Sequence, residues 1–199
     1  MDVEKDFQIV NMFPLLLMKF PKFLTEEQCE DIAINFGSSP DLKQHDYFTN
    51  DALCSHGGQD ILNLIVQMES CQHVIFGIDQ ALQLYADTVG YEKKTISNSW
   101  LNVQNKGSAL FDHMHSNSTV TGAIFIKFYP GNNDLTFTNP NPFVHHYDPI
   151  HATDYNARTH SVTPEVGDMY LFPSWINHGS YGKENLTDGR MSIAFNTLP

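Results

Sequence analysis

The second half of the chain is a succession of short β-forming segments separated by turns. From about residue 95 onward, segments rich in β-branched and aromatic residues alternate with turn sequences such as Pro130-Gly-Asn-Asn133 and Asp188-Gly189. Many short strands closed by turns are typical of a β-sandwich or a small barrel, so this half predicts a mainly β core. The predicted strands span residues 100–103, 120–129, 134–138, 160–163, 168–172, 178–181 and 190–196.

The first part of the chain predicts an outer strand followed by a helix. Residues 8–20 look extended, and Pro14 interrupts them, which suits a strand at the edge of a sheet. Thr25 and Gln28 have the spacing of a capping box, so a helix is predicted to start there. Gly37 is a natural end for this helix.

Residues 37–58 are polar and rich in turn formers, which predicts a surface loop with little regular structure. Apolar residues at helical spacing over residues 59–89 predict helices that pack on the core. The expected organisation is one structural domain. In it, residues 1–94 pack on a β core formed by residues 95–199.

The net charge of −12 disfavours nucleic acid as a partner, because an acidic surface repels phosphate backbones. The three cysteines, Cys29, Cys54 and Cys71, lack close spacing, which indicates a reducing compartment and neither disulfides nor a thiolate metal site. The acidic N-terminus is unlike a signal peptide, and the apolar stretch 12–18 is too short to cross a membrane. A soluble cytoplasmic protein without a membrane partner is expected.

Two histidines, His113 and His115, stand two residues apart just before the apolar run that starts at Val120. In an extended chain such residues point to the same side, so the two imidazoles would converge while Asp112 and Met114 face away. Histidine is the commonest metal ligand, and this placement suits a metal site. An exposed strand end without special role and a metal-free pair of catalytic bases are the alternative interpretations of an isolated H-x-H pair.

A third histidine and an arginine further along the chain favour the metal site. His178 ends the apolar segment 171–178, and Arg190 begins the predicted strand 190–196. By alternation Arg190 shares its face with Ser192, which would place a guanidinium inside the barrel. A buried arginine needs an anionic partner, and the neighbouring predicted strands offer no obvious one, so a bound carboxylate is inferred.

In order and spacing, these residues resemble the iron(II)- and 2-oxoglutarate-dependent oxygenases. The resemblance is closer still to a group assigned as oxygenases in marine bacteria and phages. It covers residues 95–199 well and the N-terminal half loosely. The residues that carry it are Trp100-Leu-Asn102, His113-x-His115, Thr121-Gly122, Phe172-Pro-Ser-Trp175, His178 and Arg190-Met-Ser-Ile-Ala-Phe-Asn196.

The resemblance implies a mainly β fold with flanking helices around a double-stranded β-helix, or jelly-roll, core. It also implies one Fe(II) ion, with His113 and His178 matching the two histidine ligands of the family. His115 stands where most of the superfamily has Asp or Glu, so the implied metal ligands are His113, His115 and His178. Imidazole suits iron, and three of them leave the centre one unit more positive than the usual set. Asp112 is the alternative third ligand, if a bulge turned it inward.

The resemblance implies 2-oxoglutarate as co-substrate and O2 as oxidant. Arg190 and Ser192 match the basic residue and the hydroxyl that bind the distal carboxylate of 2-oxoglutarate, a task suited to a bidentate arginine. Asn102 is expected in the same pocket. Relatives often carry a tyrosine after the Ser/Thr-Gly step, where this chain has Ile124 or Phe125.

The implied activity is hydroxylation of a substrate C–H bond with release of succinate and CO2. Two other functions stay open on the residues alone. One is a cupin-like three-histidine dioxygenase that does not use 2-oxoglutarate, and the other is a non-catalytic jelly-roll binding domain.

Residues 139–159 form a long segment rich in proline, histidine and asparagine, which predicts a lid over the mouth of the barrel. The predicted substrate contacts are Trp175, His145, His146 and Tyr147. Solvated histidines are favoured over a second metal site in this segment. His45, His56 and His73 have no companions in the sequence and are expected to be structural or surface residues. The substrate is a small molecule or a peptide that the sequence does not identify, and the oligomeric state is open, a homodimer included.

Overall fold

The computed structural model describes residues 13–146 and 148–199, and its architecture confirms the mainly β prediction. The strands are β1 (Met18–Phe20), β2 (Lys43–Gln44), β3 (Ala52–Cys54), β4 (Ile96–Gln104), β5 (Val120–Lys127), β6 (Leu135–Thr138), β7 (Thr159–Val162), β8 (Met169–Pro173), β9 (His178–Gly179) and β10 (Arg190–Thr197). The helices are α1 (Glu26–Phe36), α2 (Ile61–Ile65) and α3 (Val74–Val89).

The strands form two antiparallel sheets. The larger sheet has seven strands in the order β1-β8-β5-β10-β4-β3-β2, and the smaller has three in the order β7-β6-β9. Apolar side chains from both sheets, such as Phe125 of β5, Phe137 of β6 and Phe172 of β8, meet in one buried cluster. Two sheets packed around a shared interior make up the jelly roll that was predicted.

The helices cover the other face of the larger sheet. Helix α1 starts as predicted: the Thr25 hydroxyl accepts from the Gln28 amide at 3.2 Å, and the Gln28 side chain accepts from the Thr25 amide at 2.9 Å. Buried Ile32 of α1 and Ile78 of α3 belong to the same core cluster as Phe195 of β10. The apolar stripes of these helices are therefore core positions, as their spacing predicts.

Strand β10 lies in the middle of the larger sheet, and its two faces have different surroundings. Ile193 and Phe195 pack in the core cluster shared with the helices. Arg190 and Ser192 face the interior between the sheets. The neighbouring strand β5 approaches closely at Gly122, where any Cβ atom would overlap the Phe195 ring. Glycine at this position therefore lets the two central strands pack together.

The prediction of an irregular surface loop over residues 37–58 is wrong in part. Strand β2 pairs with β3, and β3 pairs with β4, so this segment extends the larger sheet. Strands of two and three residues are too short to show a period in the sequence. They form because the edge of β4 offers unpaired backbone groups.

The predicted outer strand is present at Met18–Phe20, where it pairs with β8 at one edge of the larger sheet. Residues 8–12 of that prediction lie outside the described part of the chain. No helix among the described residues is long and apolar enough to cross a membrane.

Candidate metal centre and co-substrate pocket

Three histidines converge in the interior between the sheets. His113 and His178 form an antiparallel bridge in which each amide donates to the carbonyl of the other at 3.0 Å. The His115 amide donates to the Ser174 carbonyl at 2.9 Å. The ring nitrogens that His113, His115 and His178 offer to a metal all lie within 4.8 Å of one another. The extended segment therefore aims both members of the H-x-H pair at one point, and the three residues form a metal-binding site.

Backbone carbonyls hold the outward ring nitrogens of two of these histidines. His113 Nδ1 lies 2.8 Å from the Phe111 carbonyl oxygen, and His178 Nδ1 lies 2.9 Å from that of Ile176. A carbonyl only accepts, so both Nδ1 atoms carry the proton and both Nε2 atoms keep a lone pair. Carbonyl partners of this kind fix the tautomer and the ring orientation of metal-binding histidines.

The spacing of the donor atoms fits one metal ion. The Nε2 atoms of His115 and His178 are 3.2 Å apart. Two imidazoles bound at right angles to one ion, with bonds of about 2.1 Å, would have nitrogens roughly 3 Å apart. Because neutral imidazole also suits iron(II), the three histidines fit Fe(II) in both spacing and chemistry.

Asn196 of β10 supports His115. Its side-chain nitrogen lies 3.4 Å from His115 Nδ1. A metal on Nε2 leaves the proton of the neutral ring on Nδ1, which then needs an acceptor. The Asn196 oxygen accepts from the Thr121 hydroxyl at 2.9 Å. With the amide turned over, that oxygen would accept from His115 Nδ1, and the amide nitrogen would donate to the Thr121 hydroxyl. Asn196 thus has a role at the metal site that its position in the sequence does not reveal.

Asp112 is turned away from the three imidazoles. One of its carboxylate oxygens accepts from the Tyr181 amide at 3.0 Å, and the other accepts from the Thr138 hydroxyl at 3.5 Å. The carboxylate packs against Gly179, where an added Cβ would lie 2.5 Å from it. His115 and not Asp112 therefore completes the group of three donors.

Burial keeps the three imidazoles neutral. Desolvation, aided by the neighbouring imidazoles, lowers the pKa of His178 to about 3 and that of His115 to about 4. Desolvation also lowers the pKa of His113. The neutral imidazole is the form that binds a metal, so the site is ready for metal binding at neutral pH.

We expect the metal-free protein to lose stability as the pH falls from about 6.5 toward 4. In that window the unfolded chain takes up protons at His115 and His178 while the folded chain does not. Each histidine then lowers the free energy of unfolding by up to about 1.4 kcal/mol per pH unit. Denaturant unfolding of chelator-treated protein at several pH values measures this slope. His178→Ala should flatten it, and an unchanged slope in that variant would contradict the assignment.

Arg190 of β10 is buried in the same interior. Its Nε donates to the Asn133 carbonyl at 3.2 Å, and one Nη donates to the side-chain oxygen of Gln104. The guanidinium also lies 5.1 Å from the centre of the Phe125 ring. Burial lowers the pKa of Arg190 to about 10, so the group stays charged at neutral pH.

No carboxylate among the described side chains forms an ion pair with Arg190. Three buried polar side-chain atoms in the described part of the chain have no hydrogen-bond partner: the donor Gln104 Nε2 and the acceptors Asn102 Oδ1 and Asn133 Oδ1. Of these, the Gln104 nitrogen can donate to a carboxylate. Across strands β4 and β10, Gln104 lies opposite Arg190, and Asn102 lies opposite Ser192. A guanidinium, an amide and a hydroxyl around one space suit a bound carboxylate, so the pocket fits one end of 2-oxoglutarate. Gln104 escapes prediction from the sequence, although it follows Asn102 by two residues and so shares its strand face.

A cavity of about 440 Å³ joins the arginine to the three histidines. The whole face of β10 that alternation predicts lines it, namely Arg190, Ser192, Ala194 and Asn196. His45, Tyr47 and His56 from the segment around β2 and β3 also line it. His45 and His56, which are predicted to be structural or surface residues, have ring centres 5.5 Å apart in this wall.

Of the residues predicted to contact substrate, Trp175, His145 and His146 are not among those that line the cavity. Trp175 is about half exposed and follows Ser174, whose carbonyl binds the His115 amide, so it lies at the rim. His145 and His146 are exposed at the end of a short 3-10 helix. Tyr147 lies outside the described residues. The lid over residues 139–159 and its contacts stay predictions.

A jelly roll with three converging imidazoles and an unpaired guanidinium in one cavity defines a class: metalloenzymes that work with an anionic co-substrate. Residues 98–196 match the family model described as "Putative 2OG-Fe(II) oxygenase". The chain belongs to this family of 2-oxoglutarate- and Fe(II)-dependent oxygenases. Fe(II) and 2-oxoglutarate are accordingly its metal and its co-substrate, and the three histidines are its metal-binding site.

Solved structures of low sequence identity share the fold. A prolyl-4-hydroxylase of Pseudomonas putida is 11% identical, with 92% of each chain covered and a TM-score of 0.57. HygX of Streptomyces hygroscopicus, with nickel and 2-oxoglutarate bound, is 12% identical over 93% of this chain and 83% of that one, with a TM-score of 0.61. A 2OG-Fe(II) oxygenase family oxidoreductase of Burkholderia pseudomallei is 11% identical over 92% and 85%, with a TM-score of 0.62. No protein with a curated description matches the sequence.

Proposed function

We propose that the enzyme hydroxylates a substrate C–H bond, with His113, His115 and His178 as the Fe(II) ligands. In this proposal the distal carboxylate of 2-oxoglutarate binds to Arg190, Ser192 and Asn102. The observation that carries it is the buried, unpaired guanidinium in the same cavity as the three histidines. The bound metal and co-substrate supply the activation of O2, with release of succinate and CO2.

The residues of the pocket bind, orient and exclude water. A guanidinium has five N–H donors, and Arg190 uses two of them on Asn133 and Gln104, which leaves others for a carboxylate. Buried apolar side chains, Phe125, Leu135 and Phe172, line the same cavity. Such a dry environment strengthens the pairing between a guanidinium and a carboxylate.

Anaerobic titration with Fe(II) and then 2-oxoglutarate tests the proposal. We expect a visible charge-transfer band that saturates at one equivalent of each, followed by succinate formation when O2 and a substrate library are added. Iron binding without any effect of 2-oxoglutarate would instead favour the cupin-like enzyme. Protein that binds no Fe(II), Mn(II) or Ni(II) would favour the non-catalytic binding domain.

Replacing Gln104 with glutamate should prevent 2-oxoglutarate binding and leave metal binding intact. The new carboxylate would form an ion pair with Arg190, so the guanidinium would no longer be available to the co-substrate. We expect the affinity for 2-oxoglutarate to fall roughly 100-fold or more. Gln104→Met removes only the amide and should cost about tenfold. The same anaerobic titration measures both variants. Equal affinities in the two would contradict the proposed pairing.

We also propose that the enzyme works in the cytoplasm on a small molecule or a peptide. Cys29, Cys54 and Cys71 are all free thiols and buried, which supports a reducing compartment. The net charge of −12 supports a substrate that is not a nucleic acid. Mass analysis of thiols in cells, with all three cysteines reduced as the expected result, tests the compartment.

A further inference from the structure

Six aromatic side chains form a closed circuit in the cavity wall. Successive ring centres around the circuit are 5.1, 5.1, 4.9, 5.7, 4.8 and 5.5 Å apart. The members in order are His45, Tyr47, His113, His115, Trp100 and His56. All six line the same cavity as Arg190. Two of them are metal ligands, and their direct neighbours in the circuit are Tyr47 and Trp100.

The circuit runs from the floor of the cavity to its mouth. Trp100 is buried, at 7% exposure, while Tyr47 is half exposed. Apolar side chains continue the surface outward from Tyr47. The Phe111 amide donates to the Tyr47 carbonyl at 2.8 Å, and the side chains of Phe111 and Met114 are both exposed. Exposed apolar surface next to a cavity is typical of a ligand-binding groove.

The charges in this wall exclude an ammonium group as the preferred occupant. Arg190 is the only lysine, arginine, aspartate or glutamate among the described residues that line the cavity. No carboxylate is there to balance a second cation, and a metal held by three neutral imidazoles keeps its full positive charge. In the proposed function Arg190 binds 2-oxoglutarate. The described residues of the wall offer no other guanidinium or ammonium group that could bind a second anion.

We propose that the aromatic circuit is the substrate site and that it binds an uncharged, ring-bearing group. The inference rests on the proposed function, because the bound ring would be the part of the substrate held next to the metal. Aromatic and apolar rings gain both from burial and from edge or offset contacts with aromatic walls. A cavity of about 440 Å³ lies in the size range of drug-sized ligand sites, so it has room for more than the five-carbon co-substrate.

Three probes of matched shape test the inference: benzyl alcohol, benzylammonium and benzoate. They are titrated into protein loaded with Mn(II) and 2-oxoglutarate, so that no turnover occurs. The chain has two tryptophans, so the Trp175→Phe variant retains only Trp100. The fluorescence of Trp100 then reports binding in the circuit. We expect benzyl alcohol to bind at least tenfold more tightly than either charged probe. Benzylammonium or benzoate binding as tightly as benzyl alcohol would overturn the inference.

Variants of Tyr47 locate the binding. Tyr47→Ala should weaken benzyl alcohol at least tenfold, while Tyr47→Phe, which keeps the ring, should bind as the parent does. Tyr91→Ala is the matched control, because Tyr91 is exposed and does not line the cavity. Unchanged binding in Tyr47→Ala would overturn the inference. The Mn(II) and 2-oxoglutarate titrations of the same samples report separately on the proposed function, so either idea can fail without the other.

Discussion

Replacing Arg190 with methionine should abolish 2-oxoglutarate binding and leave Fe(II) binding unchanged. No carboxylate among the described side chains lies within ion-pair distance of the guanidinium. Burial lowers the pKa of Arg190, and Asp134 acts on it only through its more distant charge, which has the opposite effect on that pKa. Methionine fills a similar volume beside Phe125 without the charge. Losing one partner of a buried charge pair typically costs enough to lower affinity about 100-fold or more. The anaerobic charge-transfer band measures the loss.

Arg158→Met is the control for the removal of a positive charge. Arg158 is exposed and pairs with Asp148 at 2.6 Å, away from the cavity. The Arg158→Met variant should bind 2-oxoglutarate with the same affinity as the parent protein. If Arg190→Met also binds as the parent does, the co-substrate is not held by this arginine.

Replacing His178 with alanine should remove metal binding. His178 is nearly fully buried. The Ile176 carbonyl holds its Nδ1, which leaves the lone pair of its Nε2 to bind the metal. Losing a residue that merely orients a ligand already costs 10- to 100-fold in metal affinity, so losing the ligand itself should cost at least about 100-fold. Metal content after dialysis against a known Mn(II) concentration measures the effect.

The matched control is His73→Ala, which removes an exposed histidine at the start of helix α3. It should retain one metal ion per chain. Circular dichroism of His178→Ala separates loss of the ligand from loss of the fold. A folded His178→Ala protein that still binds one equivalent tightly would exclude His178 as a ligand.

The parts of the site that alternation along one strand determines are predictable from the sequence. The shared face of Arg190 and Ser192 follows from the period of two in a strand, and so does the convergence of His113 and His115. The capping box at Thr25 is equally local. In each case the spacing within a few residues decides the geometry, and the structure agrees.

The parts that depend on distant segments are not predictable in this way. His45 and Tyr47 reach the cavity because the short strands β2 and β3 add to the edge of β4. The sequences of these two strands are too short to predict that pairing. The role of Gln104 in the co-substrate pocket depends on Arg190, which lies opposite it on β10. The orientation of Asp112 is set by Tyr181 and Thr138, far along the chain. Contacts of this kind become visible only when the sheets are assembled.

The central position of β10 has a consequence for how the protein is made. Its neighbours β4 and β5 precede it in the chain by many residues, yet they do not pair with each other in the larger sheet. While the ribosome is still translating the codons that precede Arg190, both strands have an open edge where β10 will insert, and open edges invite pairing with other chains. Nascent chains stalled before that point should therefore bind chaperones and neither iron nor 2-oxoglutarate. The active site and the complete larger sheet arise in the same late step of synthesis.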